Sequence, residues 1–173
     1  MFYNKNFGFT LVETVITIAI ISIVLAFSIP HFHEQMAQKE SSGLQSSILF
    51  AIHTAKNNAA SYKSHVVICS SLDGKSCTKA QWNSGFIVFL DTNNSRQADS
   101  NERILHYEKT NYKYGTLEWR AALTSPVISF DPEYGLPIGY NGSFIYCSNY
   151  AIPSKKIILS KMGHARTEQS SSC

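Results

Sequence analysis

The stretch GFTLVETVITIAIISIVLAFSIP, from Gly8 to Pro30, constrains this chain more than any other. Phe9 to Ile29 is 21 residues. As a helix that is roughly 30 Å, one hydrocarbon thickness of a bilayer. Glu13 interrupts the apolar run, and no basic side chain lies inside the run to pair with it. An ionised carboxylate at a bilayer centre costs roughly 2.5–3.5 kcal/mol, so an acid there needs a functional reason. A secretory signal peptide fits the hydropathy: Lys5 is its basic flank, Leu11 to Ile23 its apolar region, and Val24-Leu25-Ala26 its small-residue cleavage site. A plain single-pass anchor fits as well. Neither accounts for an acid so near the start of the run. Thr10, Thr14 and Thr17 add little burden, because a helical threonine can fold its hydroxyl onto a carbonyl one turn back.

The residues around Glu13 resolve the choice. Gly8-Phe9-Thr10-Leu11-Val12-Glu13 resembles the processing site of type IV pilins and type II secretion pseudopilins. The resemblance implies that a prepilin peptidase cuts after Gly8, removing a leader of residues 1–8. It implies a mature chain that begins at N-methylated Phe9, with Glu13 as its fifth residue. It also gives the acid a partner. Cleavage leaves a charged α-amine at Phe9, and methylation keeps that charge. Glu13 is one helical turn further on and can meet an ammonium, its own or a neighbouring subunit's. A buried charge waiting for its partner favours the assembled state, since removing one member of a buried pair costs about 3–5 kcal/mol.

Composition bounds the rest. The chain has 173 residues, is 44% hydrophobic and 16% charged, and carries a formal net charge of +3. That is the balance of a folded domain, and the charge alone does not imply nucleic acid. Lys5 ahead of the anchor favours a cytoplasmic N-terminus, which places everything after Pro30 outside the inner membrane. Cys69, Cys77, Cys147 and Cys173 then lie where disulfides form. Four cysteines allow three connectivities. Cys69 and Cys77 flank Asp73-Gly74, a tight-turn signal. A local bridge there leaves Cys147 to pair with Cys173. Zinc-finger spacings are missing.

Past Pro30 the chain turns amphipathic. Leu44, Ile48, Ile52, Ala55, Ala59 and Tyr62 recur at helical spacing, with Gln45, Ser46, Lys56, Asn57 and Lys63 on the other face. One helix is therefore expected from Phe9 to about Tyr62, bent or broken near Pro30 and weakened at Gly43. Residues 9–30 form its membrane half and 31–64 its amphipathic half. From His65 the pattern becomes β. Candidate strands are His65–Ser70, Gly85–Leu90, Arg103–Tyr107, Thr116–Arg120, Val127–Phe130, Ser143–Cys147 and Lys156–Ser160. A sheet against one helix stripe makes an α+β domain over residues 65–173. The end, Ser170 to Ser172, is expected to fray but for Cys173.

Within that domain, Trp82, Gly85, Phe86, Val88, Phe89, Asp91 and Asn93 resemble the W-x-x-G-[WF]-x-V-F-x-D-x-N stretch of the GspH/FimT group of minor pilins. YNGSFIYCS and KIILSKMGHAR resemble that group's last strands. The resemblance implies the type IV pilin fold, a long N-terminal helix packed on an antiparallel β head. It implies a non-catalytic subunit that primes or caps a pilus with other minor and major pilins. An H-type pseudopilin of a type II secretion system shares both motifs and stays open.

Three further clusters carry side chains capable of chemistry. Asp91, Asn93, Ser95, Asp99 and Glu102 place oxygens at calcium-loop positions, but Arg96 stands where such a loop wants glycine. A polar hairpin loop is the alternative. The histidines lack metal-ligand spacing, and no catalytic or cofactor motif occurs. Lys155, Lys156, Lys161, His164 and Arg166 fall close together near the C-terminus. Some FimT-like pilins bind DNA through Gly-Arg-x-Arg, and Gly163-His164-Ala165-Arg166 resembles it with histidine at the first arginine. That implies at most weak, non-specific DNA binding, against a solvated basic face.

Overall fold

The computed structural model describes residues 8–170 and 173, apart from the side chains of residues 27, 28 and 30. The expected leader lies outside the described residues except for Gly8.

Helix α1, Leu11–Tyr62, is a single element of 52 residues. It starts two residues later than expected, because Thr10 is extended and caps it: Thr10 Oγ1 accepts the Glu13 N–H at 3.3 Å. Thr14 and Thr17 do return their hydroxyls to carbonyls of the preceding turn, at 2.8 Å to Leu11 and 2.9 Å to Thr14. The expected break at Pro30 does not occur, and the helix continues through it. A proline removes one hydrogen bond, to the carbonyl four residues back, and the turns on either side keep theirs. Gly43 is also helical. The helix ends at Lys63, whose φ of 52° is left-handed and terminates it.

Eight strands follow: β1 His65–Ser70, β2 Gly85–Asp91, β3 Ile104–Lys109, β4 Gly115–Ala121, β5 Ile128–Phe130, β6 Gly142–Ser148, β7 Ser154–Leu159 and β8 Ala165–Ser170. They form two four-stranded sheets rather than one, ordered β3-β2-β1-β5 and β4-β6-β7-β8. Every pairing is antiparallel. β8 was not expected. Its sequence, ARTEQS, has no apolar alternation, and most of it is exposed on an edge. Pairing with β7 orders it.

The second half of α1 lies against both sheets. Leu44, Ile48, Ala51, Ile52, Ala55 and Ala59 are buried in one cluster with Val66, Ile68 and Phe86 of the first sheet and Leu117, Phe144 and Tyr146 of the second. Each large apolar side chain buried there contributes about 1.5–3 kcal/mol. Tyr62 does not extend that stripe: it is exposed at the helix end, and its hydroxyl accepts from Arg103 at 3.4 Å. A smaller cluster, Val67, Cys69, Ile87, Phe89 and Val127, covers the outer face of the first sheet. Among the described residues, the first half of α1 buries no side chain. Its described apolar side chains, from Leu11 to Leu25 and at Ile29, stand exposed, and the helix is long and apolar enough to cross a membrane.

Candidate functional site

The residues expected to act in processing and assembly lie at and just before the first turn of α1. Glu13 and Phe9 are both exposed, with the Glu13 N–H held by the Thr10 cap. Among the described residues, no hydrogen bond or ion pair engages the Glu13 carboxylate, and its side chain is exposed. A carboxylate in the first helical turn also sits favourably at the positive end of the helix dipole.

A second acid, Glu40, joins the helix to the head, and sequence reasoning did not single it out. Its carboxylate accepts the Lys113 N–H at 2.8 Å, the Tyr114 N–H at 3.1 Å and the Tyr146 hydroxyl at 2.8 Å. Tyr146 is fully buried on β6. Burial, then the bond to Glu40, pushes its phenol well above the usual range. Burial does the same to Tyr112, whose ring meets Tyr146 edge-on at 6.1 Å. One turn and more below, His33 stacks on Tyr150 at 5.6 Å and leans on Tyr114. This joint sits where the helix leaves the head. The one signal available in the sequence was an acid on the helix with no basic residue a turn away to explain it.

The aromatic motif is structural. Trp82 is buried and meets Phe144 edge-on at 5.0 Å, tying the loop before β2 to the second sheet. Gly85 lies so close to β3 that a Cβ would come within 2.6 Å of the Glu108 carbonyl oxygen. Asp91 is buried, and its two oxygens accept the Ser95 and Arg96 N–H groups, each at 3.0 Å. Glu102 accepts from the Thr92 N–H at 2.9 Å and the Asp99 N–H at 3.2 Å. Asp91 and Glu102 are thus engaged with the loop's own backbone, and Asp99 accepts from the Asn93 and Ser95 side chains. Among the described residues, no group of three or more His, Cys, Asp or Glu could hold a metal ion.

Both cystines join the residues named above: Cys69 to Cys77 and Cys147 to Cys173, with Cα separations of 5.6 Å and 5.7 Å. Asp73 organises the first loop. The Lys75 and Ser76 N–H groups and the Ser76 hydroxyl donate to it and hold its carboxyl well below the usual range. The second bridge fastens the end of the chain to β6.

The basic residues near the C-terminus do not converge. Lys155 shares the inner face of β7 with buried Ile157 and Leu159, and its Nζ donates to the Ser41 carbonyl at 3.5 Å. Desolvation lowers its pKa. Lys156 faces outward, opposite Glu168. Arg166 forms an ion pair with Glu168 at 2.9 Å. Lys161 and His164 are exposed in the turn between β7 and β8. Strand alternation separates neighbours in sequence onto opposite faces, which proximity along the chain could not reveal.

Residues 3–29 match the prokaryotic N-terminal methylation motif, and residues 46–163, more than half the chain, match the model of the type II transport protein GspH. The chain belongs to the GspH family. In this GspH-family chain, the matched region holds the aromatic motif, the Asp91 loop and Lys155 to Lys161, while His164 and Arg166 fall beyond it. The type IV minor pilin FimU of Pseudomonas aeruginosa PAO1 has a similar fold, with a TM-score of 0.54 at 16% identity over 83% of this chain and 99% of that one. A second crystal form of FimU aligns with a TM-score of 0.47 at 17% identity, covering 81% and 98%. No curated protein matches by sequence. The architecture, one long helix on antiparallel sheets, is the type IV pilin fold. This GspH-family chain is accordingly a GspH/FimT-like subunit of the pilin and pseudopilin class.

Proposed function

We propose that this chain is a minor type IV pilin. It is a non-catalytic subunit held in the inner membrane by the first half of α1, with its N-terminus cytoplasmic and its β head outside. Prepilin peptidase cuts after Gly8, and the subunit then primes or caps a pilus with other minor and major pilins. The observation that carries this reading is Glu13, exposed in the first turn of a helix half whose described side chains all stand exposed. Such a surface is stable in lipid or among like helices. The H-type pseudopilin of a type II secretion system is the second reading, favoured by the description of the matching family. Both readings share processing and assembly.

The experiment is incorporation into sheared filaments by cells that make the full chain. The wild type should appear there with a mature N-terminus at methylated Phe9. Gly8→Leu should stay as uncut precursor in the membrane. Glu13→Ala should insert and be processed, yet be depleted from filaments. A mature N-terminus at Phe27, or normal incorporation of Glu13→Ala, refutes the reading. Co-assembly with secretion pseudopilins instead of pilins selects the second reading.

A further inference from the structure

β4 is an edge strand, bonded to β6 on one side. The register gives the direction of every main-chain group. The Asn149 N–H donates to the Tyr114 carbonyl and the Ala122 N–H to the Asn141 carbonyl. Even-numbered residues of β4 therefore bond to β6, and odd-numbered ones turn their N–H and C=O groups to the open side. Leu117 confirms this, since its N–H donates outward to the Asn83 side chain at 2.6 Å. Trp119 and Ala121 come next. Among the described residues, no hydrogen-bond partner meets their N–H or C=O groups. These groups open onto a groove of about 570 Å³. One wall is Lys79, Ala80, Trp82 and Asn83 and the other end is Thr124, Ser125 and Pro126.

We propose that this groove receives an extended segment of a neighbouring filament subunit, added to β4 as a fifth strand of the second sheet. The identity of the donor rests on the pilin reading, while the docking chemistry rests on the groove. Two residues of an edge strand, one ladder period apart, offer donor, acceptor, donor and acceptor in the spacing that an extended backbone matches. Asn83 already does for Leu117 what such a strand would do for Trp119 and Ala121. The half-buried Trp119 ring offers an apolar contact for an inward side chain, and Lys79 and Glu118 put both charge signs at the rim. The walls also decide between occupants. The edge is recessed between two loops, so the β4 edge of a second copy, flanked by its own loops, cannot reach it. A lone extended segment can.

The test places a photo-crosslinking phenylalanine at Glu118 in the full chain, in cells that assemble filaments, and maps the crosslinks by mass spectrometry. Glu118 is exposed and lines the groove. The expected product joins it to one short extended segment of another pilin-class subunit. Ala121→Pro removes an N–H that faces the groove and leaves the β4–β6 bonds intact, so it should weaken the crosslink roughly tenfold. Ala121→Ser keeps the N–H and should leave the crosslink unchanged. Hydrogen exchange requires no substitution: the Trp119 and Ala121 amides should exchange at least roughly tenfold more slowly in filaments than in detergent-solubilised chain. The proposal is overturned by scattered crosslinks or none, by crosslinks to a second copy of this chain, or by equal exchange in both states. Wild-type incorporation is scored in the same cells. Its failure counts against the pilin reading, and the crosslink map judges the groove separately.

Discussion

Glu40 is expected to hold the head on the helix, and removing it tests that joint directly. Its carboxylate accepts three hydrogen bonds, from Lys113, Tyr114 and Tyr146. Bonds to charged groups are worth about 1.5–3 kcal/mol net, and a buried donor left unpaired costs about 1–3 kcal/mol. The three bonds differ in how well water can replace the acid. The Lys113 N–H lies at an exposed site, so its loss is largely made good by solvent. The Tyr146 hydroxyl belongs to a fully buried residue and has no such recourse. Glu40→Ala should therefore destabilise by about 2–4 kcal/mol. Tyr146→Phe leaves the carboxylate two donors and no orphaned hydroxyl, so about 1–2 kcal/mol is expected. The pair should be coupled: the double variant should lose about 1–2 kcal/mol less than the sum of the singles. The assay is denaturant unfolding of the full chain in detergent micelles, followed by the fluorescence of Trp82 and Trp119, both in the head. Additive losses, or a Glu40→Ala cost below about 0.5 kcal/mol, would show that the Glu40 joint adds nothing to the other contacts that hold the helix.

Three other outcomes follow from the same structure. Replacing Cys147 and Cys173 together with serine opens a loop spanning a sequence separation of 26; in the chain-entropy model this costs roughly 3.5 kcal/mol, and opening Cys69–Cys77 costs less, measurable as lowered unfolding midpoints. Tyr112 and Tyr146 have folded pKa values raised above the unfolded value of about 10, so their contribution is complete below about pH 10 and lost as pH rises beyond it. Denaturation midpoints should fall above that pH, and Tyr146→Phe should flatten the fall. Any DNA binding by the β7–β8 hairpin should be shallow in salt: with Lys155 turned inward and Arg166 paired, Lys156 and Lys161 remain, and log K against log salt should have a slope near −1.8. A slope near −3.6 in a gel-shift titration would mean that all four basic side chains reach phosphates.

Much of this molecule is written in short-range pattern. The apolar run with its single acid, the helical stripe from Leu44 to Ala59 and seven of the strands follow from periodicity and turn residues, which report on neighbours along the chain. The Asp73 turn let the Cys69–Cys77 bridge be inferred for the same reason. Local pattern fails where partners lie far apart in sequence. Tyr146 is 106 residues from Glu40, and that contact exists because β6 pairs with β4 in one register against one helix face. β8 has no apolar signal of its own and is a strand because β7 offers it an edge. Lys155 and Lys156 look alike in sequence, yet strand alternation sends one to the helix and the other to solvent. The open edge of β4 likewise depends on which strands pair. The sequence by itself determined an anchored helix, a β head and its staples, because each follows from local spacing and side-chain chemistry. Only the tertiary structure decided how the helix is fastened to the head and which surfaces remain open to partners, because register and sheet order arise from contacts between distant residues.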